Sequence, residues 1–113
     1  MKNIDSLKNY SEFKNVYDNG KSYANKYLVM YVLKTEENRK RLGISVSKKV
    51  GNSVVRHRVT RLIRESFRLN ESLLNSSLSI VVVGRTTAKG KGYKDIESAF
   101  IHLCKLHGIF KEI

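Results

Sequence analysis

The 113-residue sequence has no proline, one cysteine and fewer than half as many acidic as basic residues, and it lacks any long apolar run. Each scarcity removes a class of explanation. With no proline, no repeat and no low-complexity stretch, nothing marks a linker, and the chain reads as one continuous domain over 1–113. Cys104 has no second cysteine to pair with, so no internal disulfide is possible. Free cysteines are usually buried as small apolar side chains, and Cys104 is expected to be so on a C-terminal helix. A reducing, cytoplasmic location is expected with it. No apolar stretch approaches the ~20 residues of a spanning helix. The opening Met1, Lys2 and Asn3 carry one basic residue before the chain turns polar, unlike a signal peptide. No membrane partner is expected.

What is present is positive charge. Lys and Arg number 22 against 10 Asp and Glu, a formal net charge of +12. Such an excess bears on partners and solubility rather than on fold. Nucleic acid, an anionic membrane or an acidic protein could answer it. The 41% of apolar residues suffice for one core, and the chain is too short for two.

Asn9 to Glu12 resembles a capping box, followed by Tyr10, Phe13, Val16 and Tyr17 at helical spacing and by the stop signal Asn19-Gly20. This predicts a helix over about 10–18. Gly20 to Ala24 suggests a short strand. Tyr27 to Leu33 is β-branched and aromatic, predicting a strand over about 26–34. Thr35 to Lys40 reads as a turn, and Leu42 to Ser47 as another strand. Asn52 or Ser53 can cap a helix from Val54 to Leu69. Ser79 to Val83 is a continuous apolar run, as in a buried strand. Thr86 to Tyr93 is a Gly- and Lys-rich loop, and Asp95 to His107 a final helix closed by Gly108. The order α-β-β-β-α-β-α predicts an α+β fold, a small mixed sheet with packed helices.

Positive charge concentrates between Arg39 and Arg68. Arg39, Lys40, Arg41, Lys48, Lys49, Arg56, Arg58, Arg61, Arg64 and Arg68 fall there, and between Asn38 and Glu71 the one acid is Glu65. On a wheel at ~100° per residue with Val55 at zero, Val55, Val59, Leu62, Ile63 and Phe67 fill an arc from about 340° to about 120°. Arg58, Arg61, Arg64 and Arg68 cluster at roughly 180° to 300°. A merely solvated face would mix signs, because opposite charges at i and i+4 stabilise a helix and like charges repel. Here one sign dominates, and all four residues are Arg, whose planar fork suits phosphate. Contact with nucleic acid is expected. Arg56 lies at about 100°, in the first turn, where a positive charge opposes the helix dipole. It either reaches solvent or helps draw a phosphate to the helix N-terminus.

Other motifs are weaker. His57 has no Cys, Asp or second His at ligand spacing, and no metal site is expected. Ser45 and Lys48 match the Ser-x-x-Lys pattern of penicillin-binding hydrolases, but the companion motifs are missing and no catalytic residue is expected. The loop from Arg85 to Lys94 does not match a Walker A loop. It is either a solvated turn or a second phosphate contact through Arg85, Lys89 and Lys91.

The run from Ser45 to Glu65 resembles the signature of the bacterial ribonuclease P protein family: Lys-Lys-x-Gly-Asn-Ala-Val-x-Arg-Asn-Arg-x-Lys-Arg-x-x-Arg-Glu. Lys48, Lys49, Gly51, Asn52, Arg56, Arg58, Arg61, Arg64 and Glu65 match it in place. His57 replaces the central Asn, and Thr60 replaces a basic residue. The resemblance extends to Glu12, Phe13, Val16, Tyr17, Gly20, Ser22, Ala24, Asn25 and the strand Leu28 to Val32, and so covers nearly the whole chain.

The resemblance implies an α+β fold with a left-handed βαβ crossover. It implies a protein that binds the catalytic RNA of ribonuclease P, which removes the 5′ leader of precursor tRNA and holds the active-site Mg²⁺. The chain itself would bind no cofactor and no small-molecule substrate. By the same analogy Lys48, Lys49, Asn52, Arg56, His57, Arg58, Arg61, Arg64 and Arg68 would face that RNA. Phe13, Tyr17 and Tyr31 would line a cleft for the single-stranded leader. From the residues alone, Phe13 and Tyr17 fit ordinary core packing as well as an aromatic platform. A ribosomal or other general RNA-binding protein would share the size, charge and fold class; preference for ribonuclease P RNA over ribosomal RNA separates the two.

Overall fold

The computed structural model describes residues 4–112; the expectation about Met1, Lys2 and Asn3 lies outside them. The chain forms α1 (Tyr10–Asn19), β1 (Lys21–Ala24), β2 (Leu28–Lys34), β3 (Lys40–Val46), α2 (Ser53–Asn70), β4 (Leu78–Gly84) and α3 (Tyr93–His107), with single 3₁₀ turns at Glu71–Leu73 and Thr86–Ala88. The sheet order is β1-β2-β4-β3. β2 pairs antiparallel with β1 and β4, and β3 pairs parallel with β4, Lys40 opposite Leu78 and Val46 opposite Gly84. β3, α2 and β4 make a βαβ unit, and the α+β class and element order are as expected.

Both faces of the sheet are covered. Leu28, Met30, Val32, Leu42, Ile80 and Val82 join Ile63, Phe67, Phe100 and Leu103 of α2 and α3 in the main core. Tyr31, Leu33, Val81 and Val83 pack with Phe13, Val16 and Tyr17 of α1 on the other side. β4 is covered on both sides, hence its unbroken apolar run. Cys104 lies within the main core, and burial pushes its thiol up to about 12.

The boundaries shift where long-range partners act. β2 begins at Leu28 rather than 26 because Asn25 Oδ1 accepts from the N–H groups of Tyr27 (3.3 Å) and Leu28 (3.1 Å), forming a turn first. β3 begins two residues before Leu42, within the expected turn, because β4 supplies partners there. It ends at Val46, since Val50 N–H closes a turn on Ser47 O at 3.0 Å. Asn52 caps α2 by accepting from Val55 N–H at 3.0 Å, which brings Ser53 into the helix. The loop expected over 86–93 contains a 3₁₀ turn, and α3 starts at Tyr93.

The N-terminal segment holds α1 to the sheet. Leu7 N–H bonds Leu42 O and Leu42 N–H bonds Asp5 O, each at 2.9 Å, covering the outer edge of β3. Arg41, its side chain only 11% exposed, places Nη1 2.6 Å from Glu12 Oε2 and donates from Nη2 to Ser6 O at 3.2 Å. Asn9 Oδ1 caps α1 at Glu12 N–H, and Glu12 returns the bond to Lys8 N–H at 2.7 Å, one residue before the cap. Two residues along β3 from Arg41, Gly43 lies under Phe13; a Cβ there would sit 2.7 Å from the ring.

Three outcomes follow. Gly43→Ala should lower stability by about 1–3 kcal/mol through overpacking, read as a lower urea midpoint at unchanged m. The Lys8 N–H and Arg41 hold the Glu12 carboxyl below its ordinary 4.5. Its stabilisation is therefore fully present above the unfolded value and lost as pH falls through the lower folded value. Melting temperatures of wild type and Glu12→Gln should differ at neutral pH and converge in acid; a constant gap would refute the ion pair's contribution. The Cys104 thiol should resist alkylation in the native protein and react freely in denaturant.

Candidate nucleic-acid interface

α2 divides as its periodicity predicts. Val59, Ile63 and Phe67 are buried, Val55 and Leu62 pack beside them, and Arg58, Arg61, Arg64 and Arg68 are exposed. Arg58 Nη2 donates to Lys91 O at 3.3 Å. Arg68 grips Glu65 through Nε at 3.0 Å, an exposed pair of the kind worth about 0–1 kcal/mol and easily exchanged. Arg68 holds the Glu65 carboxyl below its usual range. Arg61 and Arg64 make no ion pair among the described residues. His57 is exposed, and the Thr60 hydroxyl donates back to Arg56 O at 2.9 Å.

Arg56 does not simply reach solvent. It is half-buried, and its Nε is sealed from water with no hydrogen-bond partner among the described residues. A buried unpaired donor of this kind is costly. Asn52 spends its carbonyl oxygen on the cap. Lys48 and Lys49 are exposed in the turn between β3 and α2.

The basic segment is not one surface. Arg39 bonds Glu37 at 2.9 Å and lies 3.8 Å from Asp5. Lys40 Nζ donates to Glu71 O at 2.7 Å and Leu74 O at 3.3 Å. Arg41 is held by Glu12 and Ser6. These three are engaged within the fold, Arg39 by its neighbour Glu37 and by Asp5, Lys40 by remote carbonyls and Arg41 by the remote Glu12.

On the opposite face of the sheet, Phe13, Tyr17 and Tyr31 are in contact and half-buried. Tyr17 meets Tyr31 edge-to-face at 4.8 Å and 87°, and Phe13 lies 6.5 Å from Tyr17 at 45°. They form part of the packing under α1 and retain ring surface open to solvent, so the two sequence readings are compatible.

The loop after β4 is tied down. Arg85 Nη1 donates to Asn25 O at 2.6 Å, and Lys91 Nζ stands 5.6 Å from the Tyr27 ring centroid. Lys89 is exposed. Sequence reasoning missed Tyr27 and Lys26 as neighbours of this loop; the sole sequence signal was an aromatic beside a lysine. Ser45 lies within β3 and Lys48 beyond its end, with no hydrogen bond joining them among the described residues. Among the described residues no three His, Cys, Asp or Glu side chains gather as a metal site requires. Among the described residues no helix is long and apolar enough to cross a membrane.

The family model for ribonuclease P matches residues 1–107. The ribonuclease P protein component of Lachnoclostridium phytofermentans is 68% identical over 105 residues, covering 93% of this chain and 90% of that protein. The RNase P protein of Staphylococcus aureus superposes with a TM-score of 0.88 at 34% identity, over 96% of this chain and 100% of that one. That of Thermotoga maritima does so with 0.77 at 28% identity, over 83% and 89%. The chain thus belongs to the ribonuclease P protein family.

Proposed function

We propose that this chain is the protein subunit of ribonuclease P and assists a catalytic RNA in removing the 5′ leader of precursor tRNA. The observation that carries the reading is the unbalanced face of α2. Arg61 and Arg64 stand exposed with no ion pair among the described residues, while Arg39 and Arg41 are paired. An RNA backbone supplies the missing negative charge, and Arg forks suit its phosphates. Lys48, Lys49, His57, Arg58 and Arg68 extend this surface, and Arg56 meets a phosphate at the helix N-terminus.

The half-buried rings of Phe13, Tyr17 and Tyr31 suit the bases of a single-stranded leader, each stack contributing roughly 1–3 kcal/mol. The turn with Lys48 and Lys49 links the strand beside that cleft to α2, so one protein touches both the leader and the catalytic RNA. Arg85, Lys89 and Lys91 add phosphate contacts. The reaction's Mg²⁺ ions belong to the RNA, and no residue of this chain performs chemistry. The protein raises affinity for leader-bearing substrate and offsets repulsion between two large RNAs, lowering the Mg²⁺ needed.

Reconstitution tests this. The purified chain, a bacterial ribonuclease P RNA and a precursor tRNA are mixed at low Mg²⁺, and leader release is followed. Cleavage should depend on the protein, and affinity should fall when the leader is removed. Tight RNA binding with unchanged cleavage would reduce α2 to a general RNA-binding face. If six to ten phosphates are neutralised, RNA affinity should fall by about 10³ to 10⁵ between 50 and 200 mM salt. Arg61→Ala and Arg64→Ala should each reduce the salt slope by about one, whereas Arg39→Ala should leave it unchanged. Tyr31→Leu, which keeps apolar bulk, should weaken leader-bearing substrate by about 1–3 kcal/mol and spare leaderless tRNA.

A further inference from the structure

A shallow pocket of about 250 Å³ opens where the turn before β2 meets α3, lined by Asn25, Lys26, Tyr27, Asp95, Ser98 and His102 among others. Its floor is held rigidly. Asn25 Oδ1 accepts from two backbone N–H groups of its own turn, and Asn25 Nδ2 donates to Ala99 O at 2.9 Å. Arg85 reaches in to Asn25 O, Arg85 N–H bonds Tyr27 O at 2.9 Å, and the Thr87 hydroxyl bonds Lys26 O. The turn is fixed from several sides, and Lys26, Tyr27 and Asp95 keep their side chains for the pocket.

Those groups form a recognisable set. Asn25 Nδ2 lies 3.1 Å from His102 Nδ1. The bonds to Asn25 Oδ1 fix the amide's orientation, so Nδ2 is the donor and Nδ1 the acceptor. The neutral ring then carries its proton on Nε2, a donor at the pocket rim. Asp95 offers a pair of acceptors and Tyr27 an aromatic face; the Lys26 ammonium stands 5.6 Å from the Tyr27 centroid, and that of Lys91, outside the pocket lining, stands at the same distance.

An aromatic wall, cations beside it and hydrogen-bonding groups at its edge are what an unpaired RNA base requires. The carboxylate selects among bases, because only guanine presents two adjacent donors, N1–H and the N2 amino group, to a carboxylate. We propose that this pocket binds an unpaired guanine nucleotide of RNA. The base stacks on Tyr27 with its N1 and N2 edge on Asp95, and its phosphate lies beside Lys26 and Lys91. Lys26, exposed and flexible, swings from ring to phosphate to admit the base. The pocket lies on the α3 side of the sheet, away from Phe13, Tyr17 and Tyr31, and stands or falls independently of the leader reading.

The test is amide NMR of the full chain titrated with GMP, AMP, CMP, UMP and inorganic phosphate. GMP should move the signals of Tyr27, Asp95, Ser98 and His102 at lower concentration than the other nucleotides. Tyr27→Ala should weaken this binding roughly 5- to 150-fold. Asp95→Asn, at an exposed position that leaves the fold intact, should abolish the preference for guanine. Inorganic phosphate moving the same residues as strongly as GMP would overturn the assignment. So would shifts confined to the α2 face, or a guanine preference that survives Asp95→Asn.

Discussion

A parallel pair of adjacent strands cannot be joined by a hairpin; the chain must leave one strand, cross a face of the sheet and return. β3 and β4 are such a pair, with seven residues in register from Lys40 opposite Leu78 to Val46 opposite Gly84. That constraint places α2. The helix must lie on the face where Leu42, Ile80 and Val82 await Val59, Ile63 and Phe67. The arginines then have no choice but the outer side. The crossover also fixes the turn holding Lys48, Lys49 and Asn52 just past the end of β3. The face presented to RNA in our reading is thus a consequence of strand pairing before it is one of charge.

Charge is then sorted by what each residue meets. Arg41 is inward-pointing and would be costly without partners; Glu12, Ser6 and Asp5 surround it. The same side chain fastens α1 against β3, and Phe13, adjacent to Glu12, settles on Gly43. The packing of Phe13 under α1 therefore depends on an arginine that lies away from the outer face of α2. Arg61 and Arg64 are outward-pointing and need no acid to be tolerated, because water screens them. Glu12 and Asp5 stand where the little-exposed Arg41 needs them, and the outer face of α2 is left largely positive.

This sorting explains what could be read from sequence. The periodicity of α2 separated Val59, Ile63 and Phe67 from Arg58, Arg61 and Arg64, because a helix wheel is a local property. The three-layer arrangement was not legible: nothing in the pattern of α1 says which face of the sheet it takes. Likewise Arg39, Lys40 and Arg41 looked continuous with the later basic residues, because Asp5, Glu12 and the carbonyls of Glu71 and Leu74 approach only after folding. The ring of Tyr27 and the ammonium of Lys91 lie 64 positions apart in sequence and 5.6 Å apart in space, a meeting no spacing rule encodes. The signature run, by contrast, spans one turn and one helix, and so survived as a linear pattern.

Arg56 stands between the buried and the exposed side of α2. Its Nε is buried at the positive end of α2 with no hydrogen-bond partner among the described residues, where burial, dipole and missing hydrogen bond all act against the charge. The free protein carries that cost. A phosphate at the helix N-terminus would reverse the electrostatic terms, pairing the guanidinium and accepting from the free N–H groups of the first turn. Anything that binds the folded chain and not the unfolded one stabilises it by mass action. On our reading the RNA is such a ligand, and an arginine unfavourable to the isolated fold gains its partner when the complex forms.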